Sequence, residues 1–219
     1  MHNEKNVFDH IFNTVMNIKG KTKDNLNTRK NLKIICKRPK LDVDERRPNV
    51  MPIALYTLTK EQKMRICEWI SNINFPDGYA SNLARCVDMK EMRLHGMKSR
   101  DCHVFMLKFI PIVFREMLPE PVSSALIEGS LLFQILCSMT LDVNKVQELE
   151  ASVTTNLCNL EKVFPPTLFN SMEHLIVHLP YEAHVGGPAQ YRWMYPFERL
   201  FEFSERILVS YCFTQIFVD

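Results

Sequence analysis

The sequence predicts a mainly α-helical protein, an irregular helical bundle with a proline- and aromatic-rich segment near its C-terminus. In several segments the apolar residues recur three or four positions apart, which is the period of an amphipathic helix. Prolines and glycines separate those segments and mark their ends. Of the 219 residues 46% are hydrophobic, which is enough to bury one ordinary core. We divide the chain into residues 1–52, a helix and a basic linker; 53–199, a helical domain; and 200–219, an atypical apolar tail.

The first segment, His2 to Ile18, has apolar residues at the spacing of one helix face, and Gly20 ends the helix that this spacing predicts. A polar and basic stretch follows as far as Asn49, with three prolines between positions 39 and 52. This change in composition predicts a linker and a domain boundary near residue 50.

The next predicted helix is capped by Thr59 and has Ile66, Trp69 and Ile70 facing inward. Residues 81–92 are predicted to be a short helix or irregular, and residues 93–99 a loop. The apolar segment at 104–118 contains Pro111, which should kink the helix there or divide it in two.

Two helices dominate the prediction for the C-terminal half. Residues 122–138 are apolar nearly all round, as expected of a buried central helix. Asp142 precedes the clearest amphipathic helix, whose ~21 residues would span roughly 30 Å. Pro165 and Pro166 end that helix, and Thr167 can cap the next one, so we expect two long antiparallel helices joined by a short turn.

The net charge of +2 conceals an uneven distribution of basic residues. Residues 1–50 carry a net charge of +6, and residues 51–219 a net charge of −4. Asp24 is the one acid between positions 19 and 40. The basic residues of that segment are Lys19, Lys21, Lys23, Arg29, Lys30, Lys33, Lys37, Arg38 and Lys40. They indicate either contacts to DNA phosphates or a solvated linker without a ligand.

Several histidines and one cysteine are candidate metal ligands or nucleophiles. His174 and His178 are four residues apart on a predicted helix, and Cys102 with His103 could complete a zinc site or a thiol hydrolase. Glu173 and His174 do not stand in the order H-E-x-x-H, however, and consecutive side chains such as Asp101, Cys102 and His103 diverge. We therefore favour histidines that border the core, a capping role for Asp101, and a protein with neither a metal nor another cofactor.

The stretch GGPAQYRWMYPFER, residues 186–199, places four aromatic rings at alternate positions and contains two prolines. We interpret it as a structural segment or a partner surface, the alternative being a platform on which nucleic-acid bases stack. Its candidate residues are Tyr191, Arg192, Trp193, Tyr195, Phe197 and Arg199.

Seven cysteines, an odd number without C-x-x-C spacing, favour a reduced, intracellular compartment. The apolar tail at 200–219 has the length of a membrane span, but Glu202, Glu205 and Arg206 make insertion costly. We expect neither a membrane nor a small molecule as a partner.

Four ordered motifs carry a resemblance to a known family. They are PDGYASNLARCVDM at 76–89, LHGMKSRDCHVFM at 94–106, LCNLEKVFPPTLFNSMEHLIVHL at 157–179 and the aromatic stretch at 186–199. Over residues 55–199 the chain resembles plant domain of unknown function 4218, which lies C-terminal to the transposase domain of CACTA (En/Spm) transposable elements. Residues 1–35 resemble the end of that transposase domain.

The resemblance implies a nuclear, non-catalytic accessory domain of a transposon-derived protein, one that assists DNA binding or assembly with a transposase catalytic domain or another transposon protein. A region long enough for the metal-binding transposase sheet is missing here, and Arg100 stands where the family has a histidine. The tail at 200–219 also differs from the basic run that the family has there. A metal-dependent or thiol hydrolase and an inactive, decayed fragment stay open as alternatives.

Overall fold

The computed structural model describes residues 2–36, 38–44, 46, 50–73, 75 and 82–191. The protein is mainly α-helical, as predicted, with a small antiparallel strand pair. The elements in chain order are α1 (His2–Val15), α2 (Leu26–Ile35), α3 (Lys60–Asn72), β1 (Val87–Asp88), β2 (Arg93–Leu94), α4 (Ser99–Val104), a π-helix (Phe105–Phe114), α5 (Arg115–Met117), α6 (Glu120–Leu136), α7 (Val143–Val163), α8 (Ser171–Leu175) and α9 (Leu179–Gly186). Short 3₁₀ turns lie at Pro39–Leu41, Leu83–Cys86, Pro166–Leu168 and Ala189–Tyr191.

Helix α1 lies in the main hydrophobic core and confirms the helix predicted from its apolar stripe. The rings of Phe8 and Phe12 stack with centroids 5.1 Å apart, and both contact the ring of Phe105. The helix packs against α4 and α8. The core thus contains side chains from both sides of the boundary expected near residue 50, and that boundary stays a prediction.

The segment predicted as a linker contains helix α2. Asn25 begins it, because its side-chain oxygen accepts a hydrogen bond from the backbone N–H of Thr28 at 3.0 Å. The buried side chains of the helix are Thr28, Arg29 and Leu32. Two of these three are polar, so a search for an apolar stripe does not find the helix.

Helix α3 begins as predicted. The backbone N–H of Gln62 donates to Thr59 Oγ1 at 3.3 Å, and the backbone N–H of Thr59 donates to Gln62 Oε1 at 2.8 Å, which is a capping box. Trp69 is 37% exposed instead of facing fully inward, and its ring edge meets Phe109. The loop predicted at 93–99 begins with strand β2, which pairs with β1.

Pro111 does not divide the apolar segment in two. It lies inside the π-helix, in which the N–H that proline lacks would bond five residues back. The wider turn accommodates the proline ring, which in an α-helix crowds the preceding turn. Ser130 Oγ on α6 donates to the backbone carbonyl of Met106 at 2.6 Å and ties α6 to the π-helix.

Helices α6 and α7 confirm the two main predictions for the C-terminal half. Helix α6 packs against the π-helix and α7, and α7 has the expected 21 residues, with Asp142 accepting a hydrogen bond from the backbone N–H of Asn144 at 3.0 Å. Among the described residues, no helix is both long and apolar enough to cross a membrane.

The second long antiparallel helix was predicted wrongly. A 3₁₀ turn follows the two prolines, and α8 is only five residues long. Asn170 caps α8 by accepting from the backbone N–H of Met172 at 2.8 Å. Thr167, the predicted cap, instead donates through Oγ1 to the backbone carbonyl of Lys23 at 2.7 Å. Helix α9 then returns along α7.

Candidate functional site

Most of the predicted basic residues lie at the surface. We call the following the lysine segment: Lys19, Lys21, Lys23, Lys30, Lys33 and Lys40. All of them are exposed except Lys23, which is half-buried. Lys30 and Lys33 are three residues apart on α2 and therefore lie on the same side of that helix. Lys37, also predicted as a DNA contact, lies outside the described residues.

Arg29 differs from its neighbours, because its side chain is buried. Its Nε donates to Asp24 Oδ1 at 2.5 Å, its Nη2 to Asp24 Oδ2 at 2.6 Å, and its Nη1 to the carbonyl of Leu41 at 3.1 Å. The buried Tyr56 hydroxyl donates to Asp24 Oδ2 at 2.8 Å. The expectation that Arg29 contacts phosphate is therefore corrected: its guanidinium is committed to a carboxylate inside the fold.

The Tyr56 hydroxyl keeps its hydrogen bond to Asp24 because it stays protonated. Burial, with a further contribution from the Asp24 carboxylate, raises the pKa of Tyr56 well above its usual value. The hydroxyl therefore stays protonated and donates to Asp24 throughout the physiological pH range. Its ring packs on Phe164, with centroids 5.0 Å apart, so the network also contacts the end of α7.

Arg38 caps the C-terminal end of α7. Its Nη1 donates to the carbonyl of Phe164 at 2.7 Å, and its Nη2 donates to the carbonyl of Glu161. A cation at this end of a helix satisfies carbonyls that lack intrahelical partners. With the bond from Thr167 to the Lys23 carbonyl, these contacts fasten both ends of the basic segment to the turn after α7.

The four residues weighed as a metal or hydrolase site do not form one cluster. Cys102 is buried, and burial, followed by the Asp9 charge, raises the pKa of its thiol to about 12. His174 and His178 are exposed, with their Nε2 atoms 3.4 Å apart, so the predicted proximity of these two imidazoles is confirmed. His103 Nδ1 is 2.7 Å from the carboxylate of Glu4 instead. Asp101 has the capping role expected of it, because its Oδ2 accepts from the backbone N–H of Lys98 at 2.9 Å.

A different group of ligand-type side chains does converge. In the described part of the chain, one set of three such side chains has its donor atoms within 4.8 Å of one another, and it consists of Glu4, His103 and Cys137. We call it the Glu–His–Cys cluster. Cys137 Sγ is 4.0 Å from Glu4 Oε2, and burial together with the Glu4 charge raises the pKa of the Cys137 thiol to about 12. A His103 donor atom is within 4.8 Å of the thiol as well, but burial and the nearby carboxylate disfavour the thiolate that a nucleophile needs.

The Glu–His–Cys cluster was missed by the sequence reasoning. Its members come from α1, α4 and the residue after α6, separated by 99 and 133 positions, so no local motif contains them. One signal was present. Glu4 stands three and four positions before Val7 and Phe8, on the apolar stripe of α1, and a carboxylate on a buried stripe needs a polar partner.

A cleft of about 80 Å³ lies beside the cluster and is lined by Asn3, Glu4 and Cys137, among others. The side-chain nitrogen and oxygen of Asn3 are both buried and have no hydrogen-bond partner among the residues that the structure describes. Orphaned amide atoms are uncommon in folded proteins and call for a ligand, an ion or water. The cleft is large enough for water, which needs ~10–15 Å³ measured in this way.

A second carboxylate–histidine pair joins α1 to α8. His10 Nδ1 is 2.7 Å from Oε1 of the buried Glu173, and Glu173 Oε2 accepts from the backbone N–H of Asn170 at 3.0 Å. The second carboxylate oxygen is thus used in the cap of α8. This pair fixes one helix against another and has no third ligand-type group within reach among the described residues.

The described part of the aromatic segment ends at Tyr191. Tyr191 is 75% exposed at the end of the last 3₁₀ turn. Arg192, Trp193, Tyr195, Phe197 and Arg199 lie outside the described residues. Their role as a structural segment or partner surface stays a prediction.

Comparison with known proteins gives one match. Residues 136–211 match a family model described as a Domain of unknown function (DUF4218). The match begins at the last residue of α6, covers α7 to α9, and extends into the apolar tail, while Glu4 and His103 lie outside it. No curated protein and no solved structure matches the chain. The C-terminal third of the chain is thus similar to this domain of unknown function.

Proposed function

We propose that this chain is a non-catalytic accessory domain of a transposon-derived nuclear protein, and that it binds DNA nonspecifically through the lysine segment. The similarity to the domain of unknown function and the four sequence motifs support the first part. The disposition of charge in residues 19–40 supports the second.

The observation that carries the DNA proposal is the burial of Asp24. This residue is the one acid between positions 19 and 40, and its buried carboxylate accepts hydrogen bonds from Arg29 and Tyr56. The exposed charges of the segment are therefore all positive. A surface of one sign attracts a polyanion, and each lysine that neutralises a phosphate releases a bound counterion.

The lysine segment is also held in place. Arg38 and Thr167 fasten it to the turn after α7, and Lys30 and Lys33 stand on a helix. Binding to a preorganised surface loses less conformational entropy than binding to a flexible tail. We therefore expect measurable DNA affinity at low salt despite the small number of charges.

The non-catalytic part is supported by the state of the thiols. Cys102 is buried with a raised pKa, and the Cys137 thiol faces the Glu4 carboxylate. Nucleophilic cysteines have lowered pKa values, whereas burial raises the pKa of both of these thiols, and this argues against a thiol hydrolase.

The test is fluorescence anisotropy of a labelled short DNA duplex titrated with the full chain over a salt series. The logarithm of the binding constant should fall linearly with the logarithm of the salt concentration, with a slope of ~0.9 for each phosphate neutralised. Lys30→Ala and Lys33→Ala should each weaken binding and reduce the slope by ~0.9. Lys145→Ala, at an exposed position on α7, is the matched control and should change neither.

The outcomes separate clearly. Binding without a salt slope, no binding at low salt, or equal effects of Lys30→Ala and Lys145→Ala would each overturn the DNA proposal. The proposed association with a transposase catalytic domain is tested separately by co-purification of the two chains in high salt, where phosphate-mediated bridging is suppressed.

A further inference from the structure

We propose that the Glu–His–Cys cluster is a zinc site that joins α1, α4 and the end of α6. The inference does not depend on DNA binding, because the cluster and the lysine segment share no residue.

The chemistry of the three side chains favours zinc. A carboxylate, an imidazole and a thiolate are all zinc ligands, whereas magnesium and calcium prefer oxygen ligands alone. Glu4 and the Cys137 thiolate together would carry a charge of −2 and neutralise a divalent cation. Binding replaces the proton of the Cys137 thiol with the metal ion, and that proton leaves to solvent.

The distances are close to those of a coordination shell. The donor atoms lie within 4.8 Å of one another, with Glu4 Oε1 2.7 Å from His103 Nδ1 and Glu4 Oε2 4.0 Å from Cys137 Sγ. In a tetrahedral zinc site with bonds of ~2.0–2.3 Å, neighbouring ligand atoms are roughly 3.3–3.7 Å apart. A movement of less than about 1 Å by each side chain would suffice to close the shell around the ion.

The adjoining cleft supplies a second, independent indication. Asn3 contributes two buried amide atoms that have no partner in the described part of the chain, in the same cleft that Glu4 and Cys137 line. Three protein ligands leave a fourth zinc position, which a cleft water or the Asn3 side-chain oxygen can take. The ion or the water bound to it would then satisfy the orphaned amide.

The burial of the cluster and the origin of its ligands favour an ion that stabilises the fold. The Glu4 side chain is 4% exposed and the His103 side chain 24% exposed, so the ion would be largely withdrawn from water. Three separate elements contribute one ligand each, and the metal would therefore lock the N-terminal helix to α4 and α6. The chain should be more stable with zinc than without it.

The experiment measures zinc in the purified full chain by elemental analysis and then titrates chelator-treated protein with Co²⁺. We expect near-stoichiometric zinc and, with cobalt, a thiolate-to-metal absorption band in the near ultraviolet. Cys137→Ser and Glu4→Gln should lower zinc affinity at least tenfold and weaken the band, and zinc should raise the thermal midpoint of either variant less than that of the wild type. Cys158→Ser, an exposed cysteine on α7, and His178→Ala are matched controls that should keep wild-type binding.

Each alternative result overturns the proposal. These results are a chain free of zinc that binds no cobalt, a cobalt spectrum without the thiolate band, or zinc that is retained by Cys137→Ser but lost by His178→Ala. If Cys137→Ser does not fold, as judged by circular dichroism, the wild-type cobalt spectrum and the Glu4→Gln variant still decide the question.

Discussion

The buried Arg29–Asp24 pair should be a main determinant of stability, and Arg29→Met tests this. The substitution keeps an unbranched apolar side chain at position 29 but removes three donated hydrogen bonds, two of them to Asp24. Asp24 would then be a buried carboxylate whose remaining partner in this network is the Tyr56 hydroxyl. The cost comes from the charge left behind rather than from the net strength of the pair.

The expected loss of stability can be estimated from the cost of a buried carboxylate without its cationic partner. Removing one partner of a buried ion pair typically costs ~3–5 kcal/mol in the free energy of unfolding. For a chain of this size each kcal/mol lowers the thermal midpoint by ~2–4 °C, so a fall of roughly 6–20 °C is expected. The double variant Asp24→Asn with Arg29→Met should lose less than the sum of the two single variants, because no charge is then left buried.

The assay is urea unfolding followed by circular dichroism, with Lys30→Met as the control at the adjacent, exposed position. That control should lie within ~0.5 kcal/mol of the wild type. The two positions should also separate in DNA binding, which Lys30→Met weakens. A loss below ~1 kcal/mol for Arg29→Met, or strictly additive effects in the double variant, would refute the reasoning.

Three further expectations concern the core, a thiol and a cap. Phe8→Ala removes a fully buried ring that stacks on Phe12, so it should lower the free energy of unfolding in urea by ~3–5 kcal/mol. An unchanged free energy of unfolding would contradict the placement of α1 in the core. Burial raises the pKa of Cys102 from 9.0 to about 12, so the stability that its neutral thiol contributes is present below pH 9 and is lost as the pH rises toward 12. In a pH series of thermal midpoints, Cys102→Ala should show a smaller loss of stability at alkaline pH than the wild type. An equally steep loss in the variant would contradict this prediction. Thr59→Ala should cost ~1 kcal/mol and Thr59→Gly only a few tenths in the same urea assay, and a larger loss for glycine would argue against the cap.

The sequence predicted the elements whose physics is local. Helices α1, α6 and α7 follow from apolar periodicity, and α3 also from the cap at Thr59. The π-helix around Pro111 could not be predicted in this way, because the choice between a kink and a wider turn depends on packing against α6. Helix α2 escaped detection because its buried face includes Thr28 and Arg29.

The candidate sites also differ in whether local sequence is enough to predict them. The lysine segment was predictable, since it is contiguous in sequence, but the burial of Arg29 depends on Asp24, Leu41 and Tyr56 folding around it. The Glu–His–Cys cluster depends on contacts across more than 90 positions, which only the tertiary fold creates.

The position of α1 also has a consequence for biosynthesis. Its carboxylate and imidazole contacts reach partners 99 and 163 residues further along the chain. At ~5–20 residues per second, the ribosome takes roughly 8–30 s to make the stretch that separates His10 from Glu173. The phenylalanine face of α1 lacks its partner ring until Phe105 has emerged, and His10 lacks its carboxylate until α8 has emerged, so the nascent chain should engage a hydrophobic-binding chaperone early.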